Sequence, residues 1–377
     1  MSAAVAALGG WVATELLDVT DDPTALDGTG WWAVSLPFEG RPVFARFARP
    51  RWAPGSAAGP DHGSAGRRGR RASAARWPGI DPGSWRSSLD QRAFEAGVES
   101  IRATIARGGV YQVNLTRRLS APLPAGSDPF ALAPALAELL AERHPAPHAG
   151  HLVLPSHDLA VVSASPERFL RRQGRTVLSE PIKGTTPAPA VDARPDETGT
   201  DTDTGTGTRT GDRVDFGEKD RAENVMIVDL VRNDLGRVCE PGSVTVPSLF
   251  RQERQPGLVH LVSGVRGRLV DGHGWPELLD ATFPPGSVTG APKLAACEVI
   301  GELEPVARGP YCGALGWVDA DTGMGDLNVA IRTFWLSDGE LHFGTGGGIT
   351  WSSDPTGEWE ETVLKSRRLI SAVAEPW

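Results

Sequence analysis

The chain has 377 residues, 40% hydrophobic and 23% charged, with a formal net charge of −9 at pH 7; that is enough to bury a large core, and it argues against nucleic acid as the main partner while leaving room for a local basic pocket. Cys239, Cys297 and Cys312 are too few and too dispersed for a disulfide framework and form no Cys-x-x-Cys zinc pair. With no apolar run near ~18 residues and no Lys or Arg before Arg41, neither a membrane span nor a secretory leader is expected, and the location implied is cytoplasmic.

Residues 11–48 alternate short apolar runs with turn signals, as in WWAVSLPFEGRPVFARFA, which reads as strands and hairpins. Residues 49–85 are rich in Gly, Ala, Pro and Arg, including GRRGRR at 66–71, and read as a solvated flexible loop. This 1–85 portion is expected to belong to the same fold as a catalytic domain over 86–375. A helix is expected over 90–108, where Phe94, Val98, Ile101 and Ile105 fall at helical spacing. Strands are expected at 110–119, 151–154 and 159–164, with a helix at 130–143. Residues 188–214 carry a threonine-rich run with almost no large apolar residue and are expected to be a disordered insert. A helix follows from about Asp220 to Leu235, ended by Gly236, and another begins near Glu358.

Two acidic pairs fall on these helices. Asp220 and Glu223 share a helix face, as do Glu358 and Glu361. Like charges so placed repel, and two such pairs suggest a cation between the helices, with Mg²⁺ favoured by all-oxygen ligation; two solvated acidic faces are the alternative. Val225, Met226, Ile227, Val228, Leu230 and Val231 cover nearly every face of the first helix, so it is expected to be buried and its carboxylates paired or metal-bound.

Lys183 stands between a proline and a glycine in PIKGTT, at a strand end or tight turn. A solvated lysine is the ordinary outcome. To act as a nucleophile it must lose its proton, which needs desolvation or a nearby cation. Glu167 in SASPERFL could be a proton donor if burial near Phe169 raised its pKa. GTGGGIT (344–350) lets backbone N–H groups converge on a carboxylate or else forms a flexible hairpin. It is not a dinucleotide fingerprint, because Ile349 stands where the last glycine is needed. Arg332 and Lys365 could clamp carboxylates, and His260 on a strand-like run is by default a core histidine.

In order along the chain, YQVNLT, SASPERFL, PIKGTT, KDRAENVMIVDLVRNDLGRV, VHLVSGVRG, FPPGSVTGAPK, YCGALGWV, DLNVAIRTF, GTGGGI and EWEETVLK resemble the chorismate-utilising enzymes, and among them the component I type of aminodeoxychorismate synthase. The resemblance implies an α+β fold: one chorismate-binding domain of two large, mainly antiparallel sheets packed face to face, with helices outside and the active site in the cleft between them. It implies that Glu223 and Glu361 bind Mg²⁺, with Asp220 and Glu358 assisting, and that the ion grips the ring carboxylate of chorismate. Arg332 and Tyr311 would hold the pyruvyl side. Lys365 and the backbone at Gly346, Gly347 and Gly348 would hold carboxylate oxygens. His260 would line the ring, with Thr289 and Gly184 also in the pocket.

The resemblance also implies the chemistry. Water-adding relatives carry a lysine base where this chain has Gln112, and anthranilate synthases resemble PIAGT where it has Lys183. The expected reaction is amination of chorismate to 4-amino-4-deoxychorismate, on the route to 4-aminobenzoate and folate, through a covalent adduct on Lys183 with Glu167 as acid. No cysteine sits in a Gly-x-Cys-x-Gly turn, so ammonia is expected from a separate glutamine amidotransferase subunit. Anthranilate synthase component I, an aminodeoxyisochorismate-forming enzyme and a non-catalytic subunit that kept the pocket are the alternatives.

Overall fold

The computed structural model describes residues 2–53, 75–187, 214–255 and 258–377. The GRRGRR run and, apart from Val214, the insert expected to be disordered lie outside the described residues. Among the described residues the strands form two ten-stranded sheets, antiparallel throughout. The first runs in space from Gly290–Ala291 through Gln112–Pro122, Glu340–Ile349, Thr333–Ser337, Leu159–Ser165 and His148–Leu154 to the N-terminal strands. The second runs from Ile182–Pro187 through Leu258–Arg268, Thr176–Glu180, Arg168–Gln173, Met324–Val329 and Ala314–Asp319 to Trp31–Leu36, Val43–Ala48 and Glu15–Thr20. Their inner faces share one core, in which Leu152 and Val161 of the first sheet join Val34, Phe44 and Leu327 of the second.

The helices cover what the sheets leave open. Helix α1 (Gln91–Ala106) is capped by the Asp90 carboxylate, which accepts the Ala93 N–H, and it buries Phe94, Val98 and Ile101 against Val113, Leu115 and Ile349. Helix α2 (Pro129–Arg143) packs Leu136 and Leu139 on the outer face of the first sheet. Helix α3 (Glu218–Gly236) places Ile227, Val228, Val231 and Leu235 in the core between the sheets, and α4 (Trp275–Thr282) joins it there. Helix α5 (Lys293–Leu303) packs on Gln112–Pro122 and adds Ala296 and Ile300 to the cluster that α1 forms. Helix α6 (Pro355–Ala374) starts three residues before Glu358, because Asp354 caps it and Pro355 opens its first turn.

Two sequence expectations are corrected. Residues 75–85 are not part of a solvated loop: Trp77 and Ile80 are buried in the core beneath α2 and α6, and the Trp77 indole donates to the Val373 carbonyl at 2.8 Å. Helix α3 is not buried all round either. Val225 is exposed and Met226 and Leu230 are only half-buried, because solvent covers the side turned away from the sheets.

The chain passes between sheets at two points that matter for the site. Glu167 follows Ser165 of the first sheet and precedes Arg168 of the second, and Arg332 lies between Val329 of the second and Thr333 of the first. The two crossings hold each other: Val329 N–H donates to the Glu167 carbonyl at 3.0 Å and Ala164 N–H to the Arg332 carbonyl at 2.9 Å. The 286–291 segment is fixed by buried Arg308. Its guanidinium donates to both Glu304 carboxylate oxygens and to the carbonyls of Val288 and Asn114, at 2.6–2.8 Å. A second buried pair, Lys293 with Asp234 at 2.7 Å, ties α5 to α3.

Candidate active site

Lys183 owes its position to a bulge. Ile182 pairs with Val262 and Thr185 with His260, so one extra residue is accommodated on the Lys183 strand. Gly184 absorbs it with φ of +86°, a backbone state open to glycine. A Cβ on Gly184 would come within 3.0 Å of Phe216 and 3.1 Å of Asp220, so this turn is seated on the start of α3. Burial lowers the pKa of the Lys183 ammonium below the ordinary lysine range; Lys365 acts the same way, while Glu223, Glu167 and Glu361 oppose.

Glu167 is 3% exposed. Burial pushes its pKa up to about 7, against the opposing pull of the Ser287 hydroxyl, Lys183, the Ile182 N–H and Arg332. Arg332 is held at a φ of +51°, a strained state for a residue with a side chain and one that concentrates at functional sites. Burial lowers its pKa to about 10, with Arg368 pushing the same way and Glu167 opposing. His260 is 1% exposed. Its Nδ1 meets the Thr185 hydroxyl at 2.8 Å, while its Nε2 has no hydrogen-bond partner among the described residues. Burial, then Arg332 and His144, lowers its pKa to about 4, so the ring is neutral at pH 7.

The carboxylates of α3 and α6 face one another. Glu223 is raised by burial and by Glu358 and Asp220, against Lys183 and Lys219. Glu358 is buried, accepts the Ser353 hydroxyl at 2.6 Å, and is likewise raised by burial and by Glu361. Lys219 stands between them, 3.9 Å from Glu223 and 3.8 Å from Glu358. Glu361 is about half exposed and pairs with Lys365 at 2.6 Å, which lowers its pKa. Among the described residues these acids do not close into a ligand shell.

The glycines at 346–348 are neither a hairpin nor a loop. They continue the strand Glu340–Ile349, opposite Thr116, Leu115 and Asn114. On the other edge, pairing with Thr333–Ser337 stops at Phe343, so alternate backbone groups beyond it face the cleft. Their smallness is required by crowding. A Cβ on Gly347 would lie 3.0 Å from Glu358 Oε2, and one on Gly348 would lie 2.1 Å from Gln112 Nε2 and 3.3 Å from Lys183 Nζ. Lys365 donates to the Gly346 carbonyl at 3.1 Å.

Lys183, Glu167, His260, Arg332, Glu223, Glu358, Glu361, Lys365 and the glycines are thus brought together, with Asp220 and Gly184 at the edge. Two expected pocket residues make local contacts of their own. Thr289 is fully buried and donates its hydroxyl to the Pro285 and Gly286 carbonyls at 3.2 and 3.3 Å, closing a turn. Tyr311 stands with its ring against Gly344. Burial raises its hydroxyl well above the ordinary range, Cys312 adds to this, and Arg308 opposes; none of the described hydrogen bonds joins it to Arg332. Sequence reasoning missed Ser287 beside Glu167, and also Lys219, although Lys219 lies one helical turn before Glu223. It missed Arg368 too, which follows Glu358, Glu361 and Lys365 on one face of α6.

The family model of chorismate binding enzymes matches residues 71–371. Anthranilate synthase component 1 of Streptomyces coelicolor is 42% identical over 292 residues, 77% of this chain and 53% of that protein. Aminodeoxychorismate synthase component 1 of Salmonella typhimurium is 38% identical over 287 residues, 76% of this chain and 59% of that protein. The chain therefore spans little more than half the length of these relatives. The crystal structure of anthranilate synthase component I from Streptococcus pneumoniae superposes with a TM-score of 0.67 at 24% identity, covering 91% of this chain and 81% of that one, and has the same fold.

Proposed function

The chain belongs to the family of chorismate binding enzymes, and from that premise we propose that it is the aminating component of an aminodeoxychorismate synthase, converting chorismate and ammonia to 4-amino-4-deoxychorismate for 4-aminobenzoate and folate synthesis. The observation that carries this reading is the pair Glu167–Lys183, the first buried and the second half-buried. Burial shifts each toward its neutral form, the direction that a proton-donating carboxylic acid and an attacking amine require. Lys183 Nζ bonds to ring carbon 2, the two ring double bonds each shift by one position, and the C4–O bond breaks. Glu167 gives its proton to the departing hydroxyl, which leaves as water. Ammonia then attacks carbon 4, the double bonds shift back, and the C2–N bond breaks to return Lys183. Loss of the surplus ammonium proton completes the cycle.

Chorismate is a dicarboxylate, and the site is polar at both ends. Arg332, with neutral His260 beside it, suits the enolpyruvyl carboxylate. At the other end the donor set of Glu223, Glu358 and Glu361 suits a hard divalent ion such as Mg²⁺, and the ammonium of Lys219 already marks a cation position between α3 and α6. A bound Mg²⁺ would supply the positive charge that the ring carboxylate needs against these acids. Ammonia would come from a glutamine amidotransferase partner.

The second reading is anthranilate synthase, which the 42% identity to the Streptomyces coelicolor protein favours. In either case the pure chain should consume chorismate with free ammonium and Mg²⁺, seen as loss of its ultraviolet band. Binding without turnover under these conditions would make it a non-catalytic subunit. Gly348→Ala is expected to lower turnover by about 100-fold, since a side chain there displaces Gln112 or the Lys183 tip, and a shift of about 1 Å suffices for such a loss. Steady-state kinetics alongside a thermal melt would check it.

A further inference from the structure

We infer that Gln112 is a positioning residue for the Lys183 amine, an inference that rests on the nucleophilic role proposed for that lysine. Gln112 opens the strand Gln112–Pro122 of the first sheet, while Lys183 comes from the edge strand of the second. Both side chains end over the same glycine: the Cβ position of Gly348 lies 2.1 Å from Gln112 Nε2 and 3.3 Å from Lys183 Nζ. Gln112 is 1% exposed, and its Oε1 has no hydrogen-bond partner among the described residues.

A buried amide oxygen without a donor is costly, and such atoms mark places that another group fills. The neutral lysine amine offers two N–H donors and one lone pair. Giving one N–H to Gln112 Oε1 removes the freedom of the amine to rotate and turns its lone pair toward the cleft. An amide suits this task better than a carboxylate. It is uncharged, so it holds the amine without stabilising the ammonium, whereas a further acid would add to the pull of Glu223 and Glu167 and keep the lysine protonated.

Three variants test this: Gln112→Leu, which keeps the bulk and loses the acceptor, Gln112→Glu, which adds charge, and Gln112→Asn, which retains an amide on a shorter arm. Two readouts are needed. The first is the pH dependence of acetic anhydride labelling at Lys183, followed by peptide mass spectrometry; it reports the amine without turnover. The second is kcat and KM for chorismate and ammonium. Gln112→Glu is expected to move the Lys183 labelling curve up by about one pH unit. Gln112→Leu is expected to lower kcat about tenfold, the worth of one hydrogen bond, with both KM values within about threefold of wild type, and Gln112→Asn to recover part of that loss. An unmoved labelling curve in Gln112→Glu, or wild-type kcat in Gln112→Leu, overturns the inference. If Lys183→Ala keeps full turnover, the nucleophilic reading fails instead, and the labelling curve still decides whether the two side chains meet.

Discussion

Replacing Lys183 with alanine is expected to abolish amination of chorismate, with turnover falling on the order of 10⁴-fold or more, since the amine that forms the adduct at ring carbon 2 is removed. Binding should survive, because Arg332 and the acidic end of the site are untouched. Lys183→Arg should be equally inactive, for it restores the charge but not a nucleophilic amine. Rapid-quench kinetics on the wild type should also show a chorismate-derived mass on the peptide holding Lys183 when ammonium is withheld. Turnover in Lys183→Ala within tenfold of wild type would remove the lysine from the chemistry and leave direct attack by ammonia, the route open to the anthranilate reading.

Glu167→Gln should cost about 10²–10⁴-fold in turnover, the range for a lost general acid. Its pH profile is the sharper test. Wild type needs Glu167 protonated and Lys183 neutral. Glu167 titrates at about 7, so the fraction able to donate a proton falls as pH rises through that value. The slope of log kcat/KM against pH should therefore drop by one unit near pH 7. Glutamine does not titrate, so in Glu167→Gln that break should vanish and the remaining activity should rise with pH until Lys183 is neutral. A wild-type break that persists in the variant would assign it to another group. His260 is a poor candidate, because its ring is held neutral down to about pH 4.

Much of this fold is legible in the chain because it is periodic. The apolar spacing of Phe94, Val98, Ile101 and Ile105 predicts α1 over 90–108, and the structure forms it over Gln91–Ala106. What sequence spacing misses is long-range contact. Trp77 looks like part of a glycine- and arginine-rich loop until Val373, nearly three hundred residues later, accepts its indole N–H. Gly346, Gly347 and Gly348 look like a hairpin because glycine weakens strands; they lie within a strand, where Leu115 and Thr116 crowd the first, Glu358 the second, and Gln112 and Lys183 the third. The bonds of Arg308 to the Val288 and Asn114 carbonyls are long-range contacts of the same kind.

The site follows the same division. Helical spacing brought the α3 and α6 acids into view, while only the structure shows Lys219 between them. Motif resemblance found Glu167 and Lys183, but the burial that raises the pKa of the carboxyl and lowers that of the ammonium is a product of the fold, with Glu167 at a crossing between the sheets and Lys183 in the edge strand Ile182–Pro187. That the Thr289 hydroxyl closes its own turn was equally out of reach, because a threonine in such a loop reads the same in sequence whether its hydroxyl faces a ligand or a carbonyl of its own segment.

The most direct measurement is the position of the new nitrogen. Chorismate, Mg²⁺ and ¹⁵N-ammonium would be given to the pure chain and the product read by NMR. Nitrogen on ring carbon 4, para to the carboxylate and with the enolpyruvyl group retained, is the expected result. Nitrogen on carbon 2 with loss of pyruvate would contradict it and make the chain an anthranilate synthase.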